Sequence, residues 1–126
     1  TIPEIYFGDD KYSYLKQFYF NICPENSNSF GYVTEKLFEA LSAGCIPVYW
    51  GSMGHPEPGI LNPDAIMMWN MGGDNSGVVR RIEELVSHPK MLDEFLRQPR
   101  LVEGAEDRIV AMITALEDKI CSLFKD

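Results

Sequence analysis

Apolar and polar positions change period along this chain, and the changes mark out its elements. From Phe18 to Cys23 the residues Phe-Tyr-Phe-Asn-Ile-Cys run almost unbroken in aromatic and branched side chains and stop at Pro24, as a strand opening into a loop does. Such continuous apolarity predicts cover on both faces, as in a parallel sheet between helices. Residues 24–31 then turn polar, with Asn, Ser and Gly that favour turns and helix N-caps. From Gly31 or Tyr32 the period lengthens to that of a helix: Val33, Leu37, Ala40, Leu41 and Gly44 share one face, and Tyr32, Glu35, Lys36 and Glu39 another. Gly44 tolerates the left-handed C-cap that ends a helix, and Cys45-Ile46-Pro47-Val48-Tyr49-Trp50 follows as a second strand. Pro47 cannot donate to a ladder and is expected at that strand's start. Strand, helix and strand make a βαβ unit.

Gly51 to Asp64 reads as a long loop at the carboxyl end of the second strand, where ligands sit in open parallel sheets. Ala65 to Asn70 predicts a third strand, closed by Met71-Gly72-Gly73-Asp74. Asp74, Asn75 or Ser76 can cap a helix with Val78, Val79, Ile82, Leu85 and Val86 on its buried side. Pro89 to Gln98 follows as a short helix, and Val102 to Phe124 as a long one with Ile109, Met112, Ile113, Leu116, Ile120 and Leu123 in register. Ahead of Phe18, Gly8-Asp9-Asp10 reads as a turn and Tyr12 to Gln17 as a helical turn. Three strands alternating with helices predict an α/β fold, a Rossmann-like parallel sheet flanked by helices, in one domain over 1–126.

Charge narrows the partners. Eleven Lys and Arg against nineteen Asp and Glu leave a net charge of -8, which repels phosphate backbones and anionic lipid and excludes nucleic acid as an expected partner. A cation beside an anionic ligand then has to work against the overall field, and Lys36 stands out for that reason. Cys23 and Cys45 sit inside apolar runs as small buried hydrophobes, and the three cysteines are odd in number, which points to a reduced compartment. The expected location is cytoplasmic, or peripheral to the cytoplasmic membrane face if the source is bacterial. No apolar run has the length of a membrane span, and the start lacks both an initiator Met and a signal pattern, as expected of a piece of a longer chain. His55 and His88 stand alone, so neither a metal site nor a cofactor is expected.

The polar residues of the loop and first helical turn carry the chemistry. A helix N-terminus offers free amides and about half a positive charge to an anion, and Lys36 can reach back over it. Glu35 can accept two hydroxyls of a diol, and Tyr32 can stack on a ring or donate from its phenol. Together they suit a sugar nucleotide. Equally, Glu35, Lys36 and Glu39 read as a solvated helix face and Asn26 to Ser29 as a capping loop. The Gly-x-Gly-x-x-Gly dinucleotide fingerprint is absent. Glu25, at the strand end, is by type a candidate acid or base, though a structural or ligand-orienting role carries more weight. Tyr49, Trp50, Met67, Met68 and Trp69 have the chemistry of a sugar or base platform but are expected in the core.

Glu25-Asn26-Ser27, then Tyr32-Val33-Thr34-Glu35-Lys36, then Ala43-Gly44 and Ile46-Pro47-Val48 before Gly51, resemble the donor-binding signature of the α-1,3/1,4-fucosyltransferases, glycosyltransferase family 10. The likeness extends more loosely through Asn62-Pro63-Asp64-Ala65-Ile66 to His88-Pro89 and Leu92 to Pro99; beyond Leu101 nothing is recognised. It implies the C-terminal domain of a two-domain GT-B enzyme, which holds GDP-fucose while an N-terminal domain outside this chain holds the glycan acceptor. It places Lys36 on the diphosphate, Glu35 on the ribose, and Tyr32 and Asn26 on the nucleotide or fucose, with Ser27 and Thr34 in the same donor-binding set. It implies an inverting displacement without metal, whose general base belongs to the other domain. Catalytic residues are then absent here, Glu25 remaining a minor candidate. Family members also use an upstream Arg or Lys, and only Lys11 and Lys16 precede the motif.

The function expected on this basis is that of a fucosyltransferase donor domain, inactive on its own; the alternative is a stand-alone nucleotide-sugar binding module without transferase activity. Separation from a partner domain would bare the last helix and the strand-end loops, so self-association is also expected.

Overall fold

The structure, a computed structural model, describes residues 9–125. Its centre is a parallel sheet of β1 (Phe20–Pro24), β2 (Ile46–Trp50) and β3 (Met67–Met68) in that order. β1 pairs β2 from Phe20↔Ile46 to Pro24↔Trp50, and β3 pairs β2 through Val48↔Met67 and Tyr49↔Met68. Because successive strand residues face opposite ways, β2 feeds two cores. Tyr49 packs with Cys23, Cys45 and Leu37, Ala40 and Leu41 of α2 (Glu35–Ser42), and with Leu15 of α1 (Asp9–Leu15). Ile46 and Val48 pack on the opposite face with Met67, with Leu85 of α3 (Ser76–Ser87) and with Leu92 of α4 (Pro89–Arg97). This is the expected α/β sandwich, with helices on both faces of a parallel sheet.

Several boundaries differ from the sequence reading. Asp9 and Asp10 start α1 rather than form a turn, and the expected Gly8 lies outside the described residues. The helix end folds back through Phe18 N to Leu15 O, 3.0 Å, which holds Phe18 and Tyr19 out of the strand. The third strand shrinks to two residues because Pro63–Ala65 form a 3-10 turn with Asn62 accepting from Asp64 N. Pro47 is buried within β2 next to its start; β3 reaches only Val48 and Tyr49, so no ladder bond from Pro47 is missed on that side.

Cover is also less complete than the apolar runs imply. Ile22 in β1 is 77% exposed, because α3 and α4 cover β2 and β3 but leave the β1 edge bare on that face. On α3, Leu85 is buried but Val79 and Val86 are exposed. α5 (Ala105–Leu123) is tied down only near its start, where Val102 N donates to Ile60 O and Arg108 to Gly59 O. Among the described residues its apolar stripe, from Met112 to Leu123, has nothing against it, the exposure that the sequence reading expects of this last helix.

Candidate functional site

The carboxyl ends of the strands are organised by one buried carboxylate. Glu25 follows directly on β1, its N–H donating to Trp50 O at 2.9 Å, and its side chain is only 3% exposed. Its Oε1 accepts from Thr34 N at 2.9 Å and from Tyr49 Oη at 3.3 Å, and its Oε2 from Thr34 Oγ1 at 2.6 Å. Burial of a charge is tolerable when its lone pairs are filled in this way. Burial, then the neighbouring carboxylate, pushes the Tyr49 phenol upward, so it stays protonated and donating. The clasp also needs Gly51: at φ 147°, a Cβ there would lie 2.6 Å from Glu25 Cγ and 2.8 Å from Tyr49 Oη.

This clasp explains where the helix begins. Both polar groups of Thr34 are turned onto Glu25, its backbone is extended (φ -105°, ψ -179°), and α2 starts at Glu35 rather than at Gly31 or Tyr32. Tyr32 sits in a turn, donating its N–H to Ser29 O at 3.0 Å. Thr34 therefore makes no side-chain cap, and the first-turn amides of α2 have no side chain over them. Lys36, the second helical residue and not one turn in, folds back so that Nζ donates to Pro24 O at 3.3 Å and Asn26 Oδ1 at 3.1 Å. Both acceptors are neutral, and among the described residues no carboxylate pairs with it. A cation held by neutral oxygens beside an uncapped helix start keeps its charge for an anion.

The other sequence candidates divide around this point. Asn26 touches Lys36, whereas Ser27 pairs with Ser29 at 2.8 Å between hydroxyls and does not reach it. Tyr32 is 39% exposed with its phenol unengaged among the described residues. Glu35 lines a groove along α2 with Tyr12, Phe38 and Glu39. Glu25 is held by three donors inside the fold, which suits a positioning role.

The opposite wall is the start of the loop after β2, which the sequence placed at a ligand-binding strand end without revealing its turn. Gly51, Ser52, Met53 and Gly54 all take positive φ (147°, 48°, 53° and 79°), a left-handed turn that two non-glycine residues adopt at a cost. It is held by Asn28 Oδ1, which accepts from Met53 N at 2.7 Å, and by Ser52 Oγ, which accepts from Gly31 N at 3.3 Å. Only the Gly-x-x-Gly spacing hinted at it. Tyr49 and Met67 are in the core as expected; Met68 and Trp69 are half-buried and pack against the two core clusters, and with the half-buried Trp50 they also line a cleft beneath this turn.

Beneath the site, burial and then Cys45 push the Cys23 thiol up to about 12. All three cysteines are free. Among the described residues no group of His, Cys, Asp or Glu could hold a metal ion, and no helix is long and apolar enough to cross a membrane. His55 and His88 are exposed, the latter bound through Nδ1 to Glu84 O.

Residues 7–125 match the family model for the C-terminal region of glycosyltransferase family 10 (fucosyltransferase). The chain is 49% identical over 43 residues to the α-(1,3)-fucosyltransferase FucT of Helicobacter pylori, covering 34% of this chain and 9% of that protein. It is 32% identical over 104 residues to a putative fucosyltransferase-like protein of Arabidopsis thaliana, covering 82% of this chain and 20% of the relative. Its fold matches a crystal structure of an α1,3-fucosyltransferase with GDP-fucose at TM-score 0.60 and 31% identity, over 70% of this chain and 25% of that one. A further α1,3-fucosyltransferase structure matches at TM-score 0.63 and 29% identity, over 75% and 27%. The chain thus spans a quarter or less of the curated relatives it matches.

Proposed function

We propose, from the premise that this chain belongs to glycosyltransferase family 10 as its C-terminal, fucosyltransferase region, that it binds GDP-fucose as the donor half of a fucosyltransferase. One observation carries the reading: Lys36 Nζ, held only by Pro24 O and Asn26 Oδ1, lies at the uncapped start of α2. That pairing of cation and amides suits a diphosphate. A GDP-fucose complex of a structural neighbour at 31% identity supports the choice of ligand. Asn26 fixes the Lys36 ammonium, Glu35 takes the ribose diol, and Tyr32 lies over the nucleotide or fucose. Ser27 and Thr34 act through the loop, Thr34 by way of Glu25.

The transfer is an inverting displacement. A carboxylate outside this chain takes the proton of the acceptor hydroxyl, the acceptor oxygen bonds the anomeric carbon, and the bond to GDP breaks on the opposite side. Negative charge grows on the departing diphosphate, where Lys36 and the α2 amides stabilise it more in the transition state than in the ground state. Glu25, buried and held by three donors, organises the loop and does not serve as the base. This region alone binds donor and does not turn over.

Calorimetric titration of GDP and GDP-fucose into the protein tests the reading. Both are expected to bind, and Lys36→Ala to weaken GDP by about 1.5–3 kcal/mol, the range of a charge-assisted hydrogen bond. Absence of heat with either nucleotide at millimolar concentration removes the proposal. A binding-only module shares that first result; release of GDP on adding a glycan acceptor to the protein with its acceptor domain divides the two.

A further inference from the structure

The loop between β1 and α2 is exposed from Asn26 to Tyr32, so packing does not set its position. The Glu25 clasp holds its two ends, and hydrogen bonds decide where the part between them lies. Ser27 with Ser29, and Tyr32 N with Ser29 O, tie the loop to itself and not to the rest of the fold. Two bonds cross to the turn after β2: Asn28 Oδ1 accepts from Met53 N at 2.7 Å, and Gly31 N donates to Ser52 Oγ at 3.3 Å. The first is the shorter, and it lies two residues from Asn26, whose Oδ1 accepts from Lys36 Nζ at 3.1 Å. Two residues span at most about 7 Å, so a displacement of Asn28 is felt at Asn26.

The turn that receives Asn28 is fixed from several sides. Ser52 and Met53 hold φ at 48° and 53°, a left-handed conformation that is unfavourable for a residue with a Cβ and persists only where its surroundings impose it. Gly51 lies so close to Glu25 and Tyr49 that no Cβ fits, and Ser52 is fully buried with Oγ donating to His55 O at 3.4 Å. Gly54 N and His55 N close the turn onto Gly51 O and Ser52 O at 2.9 and 3.0 Å. Reversing the hand of the turn would rotate its peptide planes, so the Met53 N–H meets Asn28 only while the left-handed backbone is kept.

We propose that Asn28 is a positioning residue for Lys36: its carboxamide oxygen, held on the strained turn, sets Asn26 and through it the ammonium at the start of α2. This role rests on the reading of Lys36 as the diphosphate cation. The contacts form a closed ring. Glu25 holds Thr34 just before α2 and abuts Gly51 at the start of the turn, Met53 holds Asn28, and Asn26 holds Lys36. Asn28, itself exposed, closes that ring on its solvent side. A lysine stem has many rotamers, and an ammonium already held in place loses less freedom when an anion arrives. A neutral acceptor also suits the place, because a carboxylate would hold Met53 N–H as well but oppose an anion bound at Lys36.

Amine labelling of Lys36, located by peptide mass mapping, reads the hold on the ammonium, and calorimetric titration of GDP reads its consequence for binding. Asn28→Ala, at an exposed residue and with its fold checked by circular dichroism, is expected to speed labelling of Lys36 and to weaken GDP about three- to tenfold, as loss of one neutral hydrogen bond does. Asn28→Asp keeps the acceptor and is expected to label no faster than wild type. In a Lys36→Ala background, Asn28→Ala is expected to weaken GDP no further, because a residue that acts through Lys36 then has nothing to position. A full, additive loss in that background puts Asn28 on the ligand or on the fold at large and overturns the proposal. Labelling that is unchanged in Asn28→Ala, or raised equally by Asn28→Asp, overturns it as well. A wild type that binds no GDP removes the donor-site reading instead, and the labelling rates then decide alone whether Asn28 holds Lys36.

Discussion

The loop at residues 24–34 and helix α5 are opposites in how their polar and apolar groups are satisfied. The loop is almost wholly polar, yet its central carboxylate is buried and held by three donors, and it is stitched to the facing turn through Asn28 and Ser52. α5 is strongly patterned, yet Ile113, Leu116, Ile120 and Leu123 are each about half exposed or more. A helical period says which residues share a face; it does not supply a surface for that face to meet. A buried polar group is more demanding, because leaving one donor or acceptor unpaired costs about 1–3 kcal/mol. The site is therefore rigidly specified by a few hydrogen bonds, while the longest helix of the chain is not specified by packing.

Variants that break this contrast should do so unequally. Gly51→Ala forces a Cβ into Glu25 and Tyr49 at a left-handed position and is expected to cost about 3 kcal/mol in urea denaturation, with GDP binding lost alongside. A stability within about 0.5 kcal/mol of wild type would show that the clasp yields easily. Glu25→Ala leaves the Thr34 amide and hydroxyl and the Tyr49 phenol without their acceptor; about 2–3 kcal/mol is expected, with Glu25→Gln losing less because one acceptor oxygen remains. If Glu25→Gln keeps stability but loses nucleotide binding, the carboxylate acts on ligand and not through the loop.

On α5 the same measurement should hardly move. Leu116→Glu with Leu123→Glu removes exposed apolar groups, so stability is expected to change by no more than about 0.5 kcal/mol. Light scattering should instead show concentration-dependent self-association of the wild type and its loss in the double variant. A wild type that remains monomeric at all concentrations removes self-association through α5.

Cysteine chemistry sharpens the comparison without a mutation. Cys23 lies in the core beneath the loop and Cys121 on the exposed helix, so a thiol reagent should label Cys121 in the native protein and Cys23 only on unfolding. The same burial has a pH signature. The folded-state value of Cys23 is raised from 9.0 to about 12, so its protonated form favours the fold: the contribution is complete below pH 9 and is lost as pH rises toward about 12. Denaturation midpoints that stay constant across that window would contradict a buried neutral thiol.

Much of the donor region was legible. The βαβ unit, the candidate cation Lys36 and the strand-loop-helix placement follow from period and residue type, and the family resemblance follows from two motifs at fixed separation. Less legible was everything that depends on pairing across the fold. Thr34 reads as one more helical residue until Glu25 captures both its groups and delays the helix to Glu35. Ser27 and Asn28 look interchangeable in a polar loop, yet one bonds only its neighbour Ser29 and the other holds the facing turn. Trp50 and Trp69 have core-like side chains, and only their place at the ends of adjacent strands puts them on a cleft.

By itself the sequence determined the element order, the parallel α/β architecture and the identity of the residues around the start of α2, because side-chain period and local backbone preference are properties of neighbours along the chain. The tertiary structure decided which of those residues meet: Glu25 with Thr34 and Tyr49, Lys36 with Asn26, and Asn28 with the turn after β2. It also decided that β1 and α5 keep apolar faces bare. Hydrogen bonds and burial depend on distances between segments far apart in sequence, and those distances exist only once the sheet has set the strand ends side by side.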